Sequence, residues 1–410
     1  MKLLSPFRGL RPVADRVADV IAPPYDVVNT AEARELARNR PWSFLHVSKP
    51  EIDLPQGTNP YDESVYQRGA ENFAKMIDEG ILVRDDEPCY YIYELTMGEH
   101  VQTGIAAAAS IEAYDKNIIR KHESTRPVKE DDRVKQIRAL RAQTGPVFLT
   151  YRQRDDVDQL VEQKKCERPV YDLTSEDGVR HRFWVIDDTQ RLVQFDAVFS
   201  HLDYLYIADG HHRSAAASRV CAMNEYKLAG NRSCKYFLAV LFPDDQVEII
   251  DYNRVIADLN GLSKEEFLSQ VAKSFDIEKS AAAVKPGSKG LYGMYLDGQW
   301  YCLTIHDDLM TSRDSVEKLD VQVLDSNLIA PILNISDPRY DTRIDFVGGI
   351  RGLDELEKRV NSGEMVLAFS LYPTGLDELM AVADAGKVMP PKSTWFEPKL
   401  ADGLVSYVLD

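Results

Sequence analysis

Between residues 204 and 242 the chain leaves itself few choices. Tyr204-Leu205-Tyr206-Ile207-Ala208 is a short run of aromatic, β-branched and apolar residues, which suits a buried strand. Asp209-Gly210 ends it, and glycine lets the backbone turn sharply and approach a ligand closely. Ala216, Ala217, Val220 and Cys221 then recur at helical spacing, and residues 235–242 read as a second buried strand. Strand, glycine turn, helix and strand in succession give a βαβ-like order. The expected fold class is therefore α+β (mixed α/β).

Chemistry concentrates at the turn, Asp209-Gly210-His211-His212-Arg213. A helix that starts there aims unpaired N–H groups and a partial positive charge at it, which favours an anion. His212 and Arg213 add side-chain donors, and the arginine fork suits phosphate oxygens. Asp209 stands at the mouth, where a carboxylate can act as a base or hold Mg²⁺. The competing reading is a surface or capping His-His pair. Strand, glycine, arginine and alanine-rich helix in register favour a site.

The rest of the chain yields shorter signals. Residues 17–21 read as a strand, Pro23-Pro24-Tyr25-Asp26 as a rigid turn, and Thr30 as the cap of a helix. Residues 61–79 predict an amphipathic helix with Ala70, Phe73, Ala74 and Ile77 on one face. Residues 89–95 and 102–110 predict a hairpin through Met97-Gly98-Glu99-His100. A polar stretch at 120–133 precedes a helix to 142, a strand at 147–151, a helix over 152–165 and a strand at 180–186. Further on, 263–275 is a helix with Ser263 and Glu266 as a capping box, and 291–305 a hairpin about Asp297-Gly298. Helices near 353–362 and 376–385 flank a strand at 365–371. A boundary near residue 258 divides the chain into regions 1–258 and 259–410, the second an α/β region packing on the first.

Composition narrows the function classes. Of 410 residues 44% are hydrophobic and 28% charged, enough apolar material for a sizeable core. The formal charge of −17 argues against a nucleic-acid partner, because binding to that backbone relies on clustered cations. A small phosphorylated ligand is compatible with it, since a pocket can be basic inside an acidic protein. Apolar runs fall short of a membrane span, and the start is a poor signal peptide. The five cysteines show no Cys-x-x-Cys spacing, which speaks against a zinc ribbon or a disulfide framework. The expectation is a cytoplasmic protein without a membrane partner, of undetermined oligomeric state.

Three further segments hold candidate residues. His122, Glu123, Thr125, Arg126, Lys129 and Arg133 supply a base, a hydroxyl and several cations, the parts that phosphoryl transfer needs. The same run also suits a solvated polar loop leading into a helix. Asp26 either faces a ligand or serves a structural turn, the second being favoured. Lys392, Ser393, Thr394 and Lys399 belong either to a phosphate site or to an ordered loop anchored by Trp395 and Phe396. The loop is favoured, with Lys392 kept as a candidate. The sequence has no Gly-x-x-x-x-Gly-Lys-Ser/Thr loop, complete Gly-x-Gly-x-x-Gly, His-Glu-x-x-His or Gly-x-Ser-x-Gly motif. His201, ten residues before His211, either shares a metal with it or is a strand-end surface residue, the second being favoured, and no set of metal ligands is assigned.

Two resemblances rest on these residues. Ile207-Ala208-Asp209-Gly210-His211-His212-Arg213-Ser214-Ala215-Ala216 resembles the signature of the ParB-like/sulfiredoxin superfamily, which binds nucleotide phosphates on a Gly-x-His-Arg or related turn. Its Asp-Gly-His-His-Arg form is similar to that of free-serine kinases in that group. Sulfiredoxins carry a catalytic cysteine where this chain has His211, so sulfinic-acid reduction is not expected. The whole chain also resembles the uncharacterised domain-of-unknown-function family 1015. The likeness runs through Pro6-Phe7-Arg8-Gly9-Leu10 with Ala22-Pro23-Pro24-Tyr25-Asp26-Val27, through Lys121-His122-Glu123-Ser124-Thr125-Arg126-Pro127 to Asp132-Arg133, through the Asp209 turn, and through residues 389–399.

The superfamily resemblance implies a ParB/sulfiredoxin-like nucleotide-binding core with a β-rich insertion in residues 1–258. It also implies a phosphotransferase using ATP or ADP with Mg²⁺ on a small hydroxyl metabolite, free L-serine foremost. Asp209 or Glu123 would take the hydroxyl proton. Gly210, His211, His212, Arg213, His122, Thr125, Arg126 and Arg133 would bind the nucleotide. The alternative is a nucleotide-binding switch without small-molecule turnover.

Overall fold

The computed structural model describes residues 1–223 and 233–410. The chain forms two compact units, Met1–Val247 with Pro398–Asp410, and Glu248–Glu397. The division thus falls after Val247 rather than near 258, and residues 259–410 are not one continuous region. The cause is a late strand, Ser406–Val408, which pairs with Gly9–Pro12 and Ala142–Gln143 and so belongs to the first unit.

A nine-stranded sheet forms the body of the first unit. Its strands in chain order are β1 (Leu4–Ser5), β2 (Tyr90–Met97), β3 (His100–Ser110), β4 (Ile119–Arg120), β5 (Val147–Tyr151), β6 (Tyr171–Thr174), β7 (Arg180–Ile186), β8 (Leu205–Asp209) and β9 (Tyr236–Pro243). Across the sheet the order is β4-β8-β5-β9-β3-β2-β7-β6, with β1 paired to β3. The predicted hairpin is β2–β3, closing at Met97 opposite His100. Ala106 to Ala109 of β3 are buried, as a strand covered on both faces requires.

The β8–helix–β9 passage has the expected element order but not the expected direction. β8 is antiparallel to β5 while β9 is parallel to it, so β8 and β9 run opposite ways with β5 between them. A parallel βαβ unit is therefore absent here, because an earlier strand occupies the intervening place.

Three helices pack in succession, the last starting where β8 ends: α1 (Glu63–Asp78), α2 (Pro127–Leu140) and α3 (His211–Ala222). α1 packs on α2, and α2 on α3. α1 buries Val65, Tyr66, Gly69, Phe73 and Met76, a stripe at helical spacing. Of the four residues predicted for that face Phe73 is buried, whereas Ile77 is 41% exposed, so the stripe lies to one side of the expected one. α2 begins at Pro127, inside the polar stretch, because proline's fixed φ suits a first helical turn.

Two local expectations change near the start of the chain. Val17–Val20 is a helical turn rather than a strand, with Val17 and Val20 buried three residues apart and Arg16 paired to Asp19 at 3.2 Å. Asn29, not Thr30, caps the next helix: its side chain accepts from the Ala31 and Glu32 amides, and Glu32 reaches back to the Asn29 amide.

The second unit contains a six-stranded antiparallel sheet in the order Phe275–Ser280, Gln299–Ile305, Leu291–Leu296, Leu367–Leu371, Tyr252–Ile256, Ile344–Gly348. Its hairpin turns at Asp297-Gly298, both with positive φ, the conformation that favours such residues in a two-residue loop. The predicted capping box of Ser263 and Glu266 opens the helix Lys264–Val271. Among the described residues no helix is long and apolar enough to cross a membrane.

Gly104, in β3, has no room for a side chain: a Cβ there would lie 2.7 Å from the Phe242 ring and 2.9 Å from the Leu241 carbonyl oxygen. Gly104→Ala should lower the unfolding free energy by about 1–3 kcal/mol, read as a shifted midpoint in urea denaturation. An unchanged midpoint would show that the sheet yields at this point.

Candidate functional site

β4 and β8 lie side by side and run in the same direction, Ile119 opposite Leu205 and Arg120 opposite Tyr206. The segments that leave their C-terminal ends therefore emerge at one edge: Lys121-His122-Glu123 after β4, and Gly210-His211-His212 after β8. β5 runs the opposite way, so its approach through Gly145-Pro146 reaches the same edge. In this way His122 and His211 meet. The His122 amide donates to His211 Nε2 at 3.3 Å, and the rings pack edge to face with centroids 4.4 Å apart.

Gly210 is the hinge of the arrangement. It has φ +103°, a region that favours glycine, and it sits as the cap of α3. A Cβ on Gly210 would lie 3.2 Å from both Arg213 Nε and Val147 Cα, so the bare backbone also seats the arginine. Arg213 donates to the Pro146 carbonyl and stands 3.5 Å from Asp209 and 3.9 Å from Asp26. Ile207 and Asp209 flank a shift in the β8–β5 register, a bulge that re-aims the end of the strand.

Burial decides the charges here. Desolvation holds His122 at about 4, and it depresses His211 far below the usual imidazole value, with His122 adding to the effect. Both rings are therefore neutral near pH 7 and bring no positive charge to a phosphate. Burial opposes ionisation of Asp209, but Lys399 at 3.2 Å and Arg213 outweigh it and hold that carboxylate well below its ordinary range. So firmly ionised a carboxylate is a weak proton acceptor. Glu123 is different. Its side chain is 38% exposed, with Oε2 3.9 Å from His211 Nδ1.

The other predicted residues divide. The Arg126 amide donates to His212 Nε2 at 3.0 Å, which ties the start of α2 to the start of α3. Thr125 gives its hydroxyl hydrogen to Glu130, and the Arg126 side chain is exposed. Arg133 pairs with Asp132 at 2.7 Å and covers the Tyr25 ring at 3.8 Å. Lys392 belongs to the second unit, where its ammonium lies over Tyr252. Lys399, seven residues later, belongs to the first unit and meets Asp209.

Arg133 and Arg213 line a cavity together with Tyr25, Gly145 and Asp402. About 30 Å³ of it admits water-sized groups, room for one or two waters, or for the oxygens of one phosphate rather than a whole nucleotide. Sequence reasoning missed Asp402. Residue 402 is fixed by main-chain hydrogen bonds with Ala22, at 2.9 and 3.2 Å, a long-range pairing with no local signature. It is buried, its Oδ1 has no hydrogen-bond partner, and burial pushes its carboxyl up to about 7 against the pull of Arg213. An acid kept partly neutral in this way is a donor that does not repel an anion.

Because the Asp402 value rises on folding, the native state holds its proton more tightly than the unfolded chain. Stability from this group is full below the ordinary value of 3.8 and is lost as pH climbs to about 7. Asp402→Asn should remove that slope. Urea unfolding across this pH range should show the wild type losing up to about 4 kcal/mol relative to the variant. Parallel curves would refute the assignment.

Comparison with known proteins places these residues in a family. No curated protein sequence matches the chain. Among solved structures, a free serine kinase in complex with AMP is 14% identical, covering 73% of this chain and 92% of that one at a TM-score of 0.35. A conserved hypothetical protein from Pyrococcus furiosus is 13% identical, covering 73% and 95%, with a TM-score of 0.34. SbnI with a C-terminal truncation, from Staphylococcus aureus, is 11% identical, covering 72% and 85%, with a TM-score of 0.38. The family described as protein of unknown function (DUF1015) matches residues 4–322, which takes in the β4 and β8 exits and the start of α3. The chain belongs to the DUF1015 family.

Proposed function

We propose that the first unit is a nucleotide-dependent phosphotransferase acting on a small hydroxyl-bearing metabolite, with free L-serine as the acceptor to test first. One observation carries the reading: a glycine-capped helix start, two arginines and a part-exposed carboxylate meet where β4 and β8 end. The likeness of Asp-Gly-His-His-Arg to the turn of free-serine kinases supports it.

In this reading the amides at the start of α3, with Arg213 and Arg133, take the phosphate oxygens of ATP or ADP. Phosphoryl transfer demands neutralised phosphates and an oriented hydroxyl more than covalent participation by the protein. Glu123 is the base, because Asp209 is committed to Lys399 and Arg213. The acceptor oxygen attacks the terminal phosphorus while its proton passes to Glu123. The bond to the bridging oxygen breaks, leaving the nucleotide one phosphate shorter. Asp26, part-exposed beside Arg213, and the nucleotide's own oxygens suit Mg²⁺, which would offset charge on the transferred group.

Purified protein given ATP or ADP, Mg²⁺ and L-serine should form phosphoserine, detected by mass spectrometry. Glu123→Gln should lower kcat about 100-fold with little change in KM. Arg213→Lys keeps the charge but loses the fork, and should weaken nucleotide binding about 10-fold in calorimetry. No turnover across a panel of nucleotides and hydroxyl acceptors would refute the assignment. Slow nucleotide hydrolysis indifferent to any acceptor would select a switch instead.

A further inference from the structure

We propose that His122, Glu123 and His211 form a binding site for one divalent transition-metal ion, of the class of Zn²⁺ or Fe²⁺. One ligand atom from each residue can be chosen so that all three lie within 4.8 Å of one another. Metal–ligand bonds of about 2.0–2.2 Å put neighbouring ligand atoms about 3.0–3.5 Å apart. Contraction by about 1–2 Å at the widest separation would close the set around an ion. Glu123 can supply it, since it is the part-exposed member.

The strongest indication is His122 Nδ1. The residue is 2% exposed, yet this nitrogen has no hydrogen-bond partner. The ring's backbone hydrogen bond is with Ile207. A carbonyl there fixes the proton on the other nitrogen and leaves Nδ1 as a bare lone pair, the tautomer in which a histidine ligates metal. A buried histidine that merely fills the core has both nitrogens satisfied as a rule. This one holds an acceptor ready beside a second buried imidazole.

His211 completes the pair at a small loss. Its Nε2 accepts from the His122 amide at 3.3 Å, a long contact. Ligation through either nitrogen gives that contact up, exchanging one weak hydrogen bond for a metal–nitrogen bond.

Two imidazoles and one carboxylate select the class of ion. Mg²⁺ and Ca²⁺ prefer sites made wholly of oxygen, whereas imidazole suits the later first-row ions. Three protein ligands leave at least one position open, which is the pattern of a site that also takes water or substrate. An ion held here would be bound by Glu123 itself, the carboxylate that takes the acceptor proton when the ion is absent. The proposal goes beyond the phosphotransferase reading and does not depend on it.

The test is spectroscopic, so that it stays separate from turnover. The full chain is stripped with a chelator and titrated with Co²⁺, whose visible absorption reports nitrogen and oxygen ligation, then challenged with Zn²⁺. One Co²⁺ per chain, displaced by Zn²⁺ and unaffected by a large excess of Mg²⁺, is expected. His122→Gln should weaken Co²⁺ binding at least 10-fold. Glu123→Gln should do the same with an unchanged circular dichroism spectrum, which covers the case in which the buried His122 variant folds poorly. Absence of stoichiometric Co²⁺ uptake, equal binding by Glu123→Gln, or displacement by Mg²⁺ would each overturn the assignment.

Discussion

The parallel pairing of β4 with β8 is the constraint on which the candidate site depends. It consists of two residue pairs, Ile119 with Leu205 and Arg120 with Tyr206, yet it decides which loops become neighbours. Two strands that point the same way must release their chains at the same edge. Had β8 paired antiparallel to β4, the histidines would stand at opposite ends of the sheet. The antiparallel partner on the other side, β5, contributes its own entry at that edge, and Pro146 thereby becomes the acceptor for Arg213. A few main-chain hydrogen bonds thus bring three distant stretches of sequence to one place.

Charges of both signs gather at this edge. The protein carries a formal charge of −17, but Arg213, Arg133 and Lys399 gather here. Their acidic neighbours hold them in place. Asp209 is held between Lys399 and Arg213, and Asp132 holds Arg133 over the Tyr25 ring. Asp402, by contrast, is forced toward its neutral form by burial. Acidic residues thus differ in role according to depth and partner, which no count of charges reveals.

How much of this is legible in the sequence depends on the range of the interaction responsible. The turn at Asp209-Gly210, the capping box of Ser263 with Glu266 and the hairpin at Asp297-Gly298 are set by a few adjacent residues, and each is readable. Val17–Val20 misleads because two valines in four residues fit a strand as well as a helical turn, and burial chooses the turn. The opposed directions of β8 and β9 are not readable, since β5, the strand between them, comes from much earlier in the chain. The same holds for Asp402, brought in beside a late strand, and for the neutrality of His122 and His211, which only the surrounding protein imposes.

The return of Pro398–Asp410 to the first unit has a consequence for how the chain is made. Lys399 and Asp402 leave the ribosome only after the 150 residues of Glu248–Glu397. At about 5–20 residues per second that interval lasts roughly 8–30 s, far longer than most domains of this size need to collapse. Until then the nascent first unit lacks the strand Ser406–Val408, and the edge of Gly9–Pro12 that it will cover stands open. Biosynthesis therefore imposes a waiting period on this fold, during which the later-made unit can mature before the earlier one is sealed.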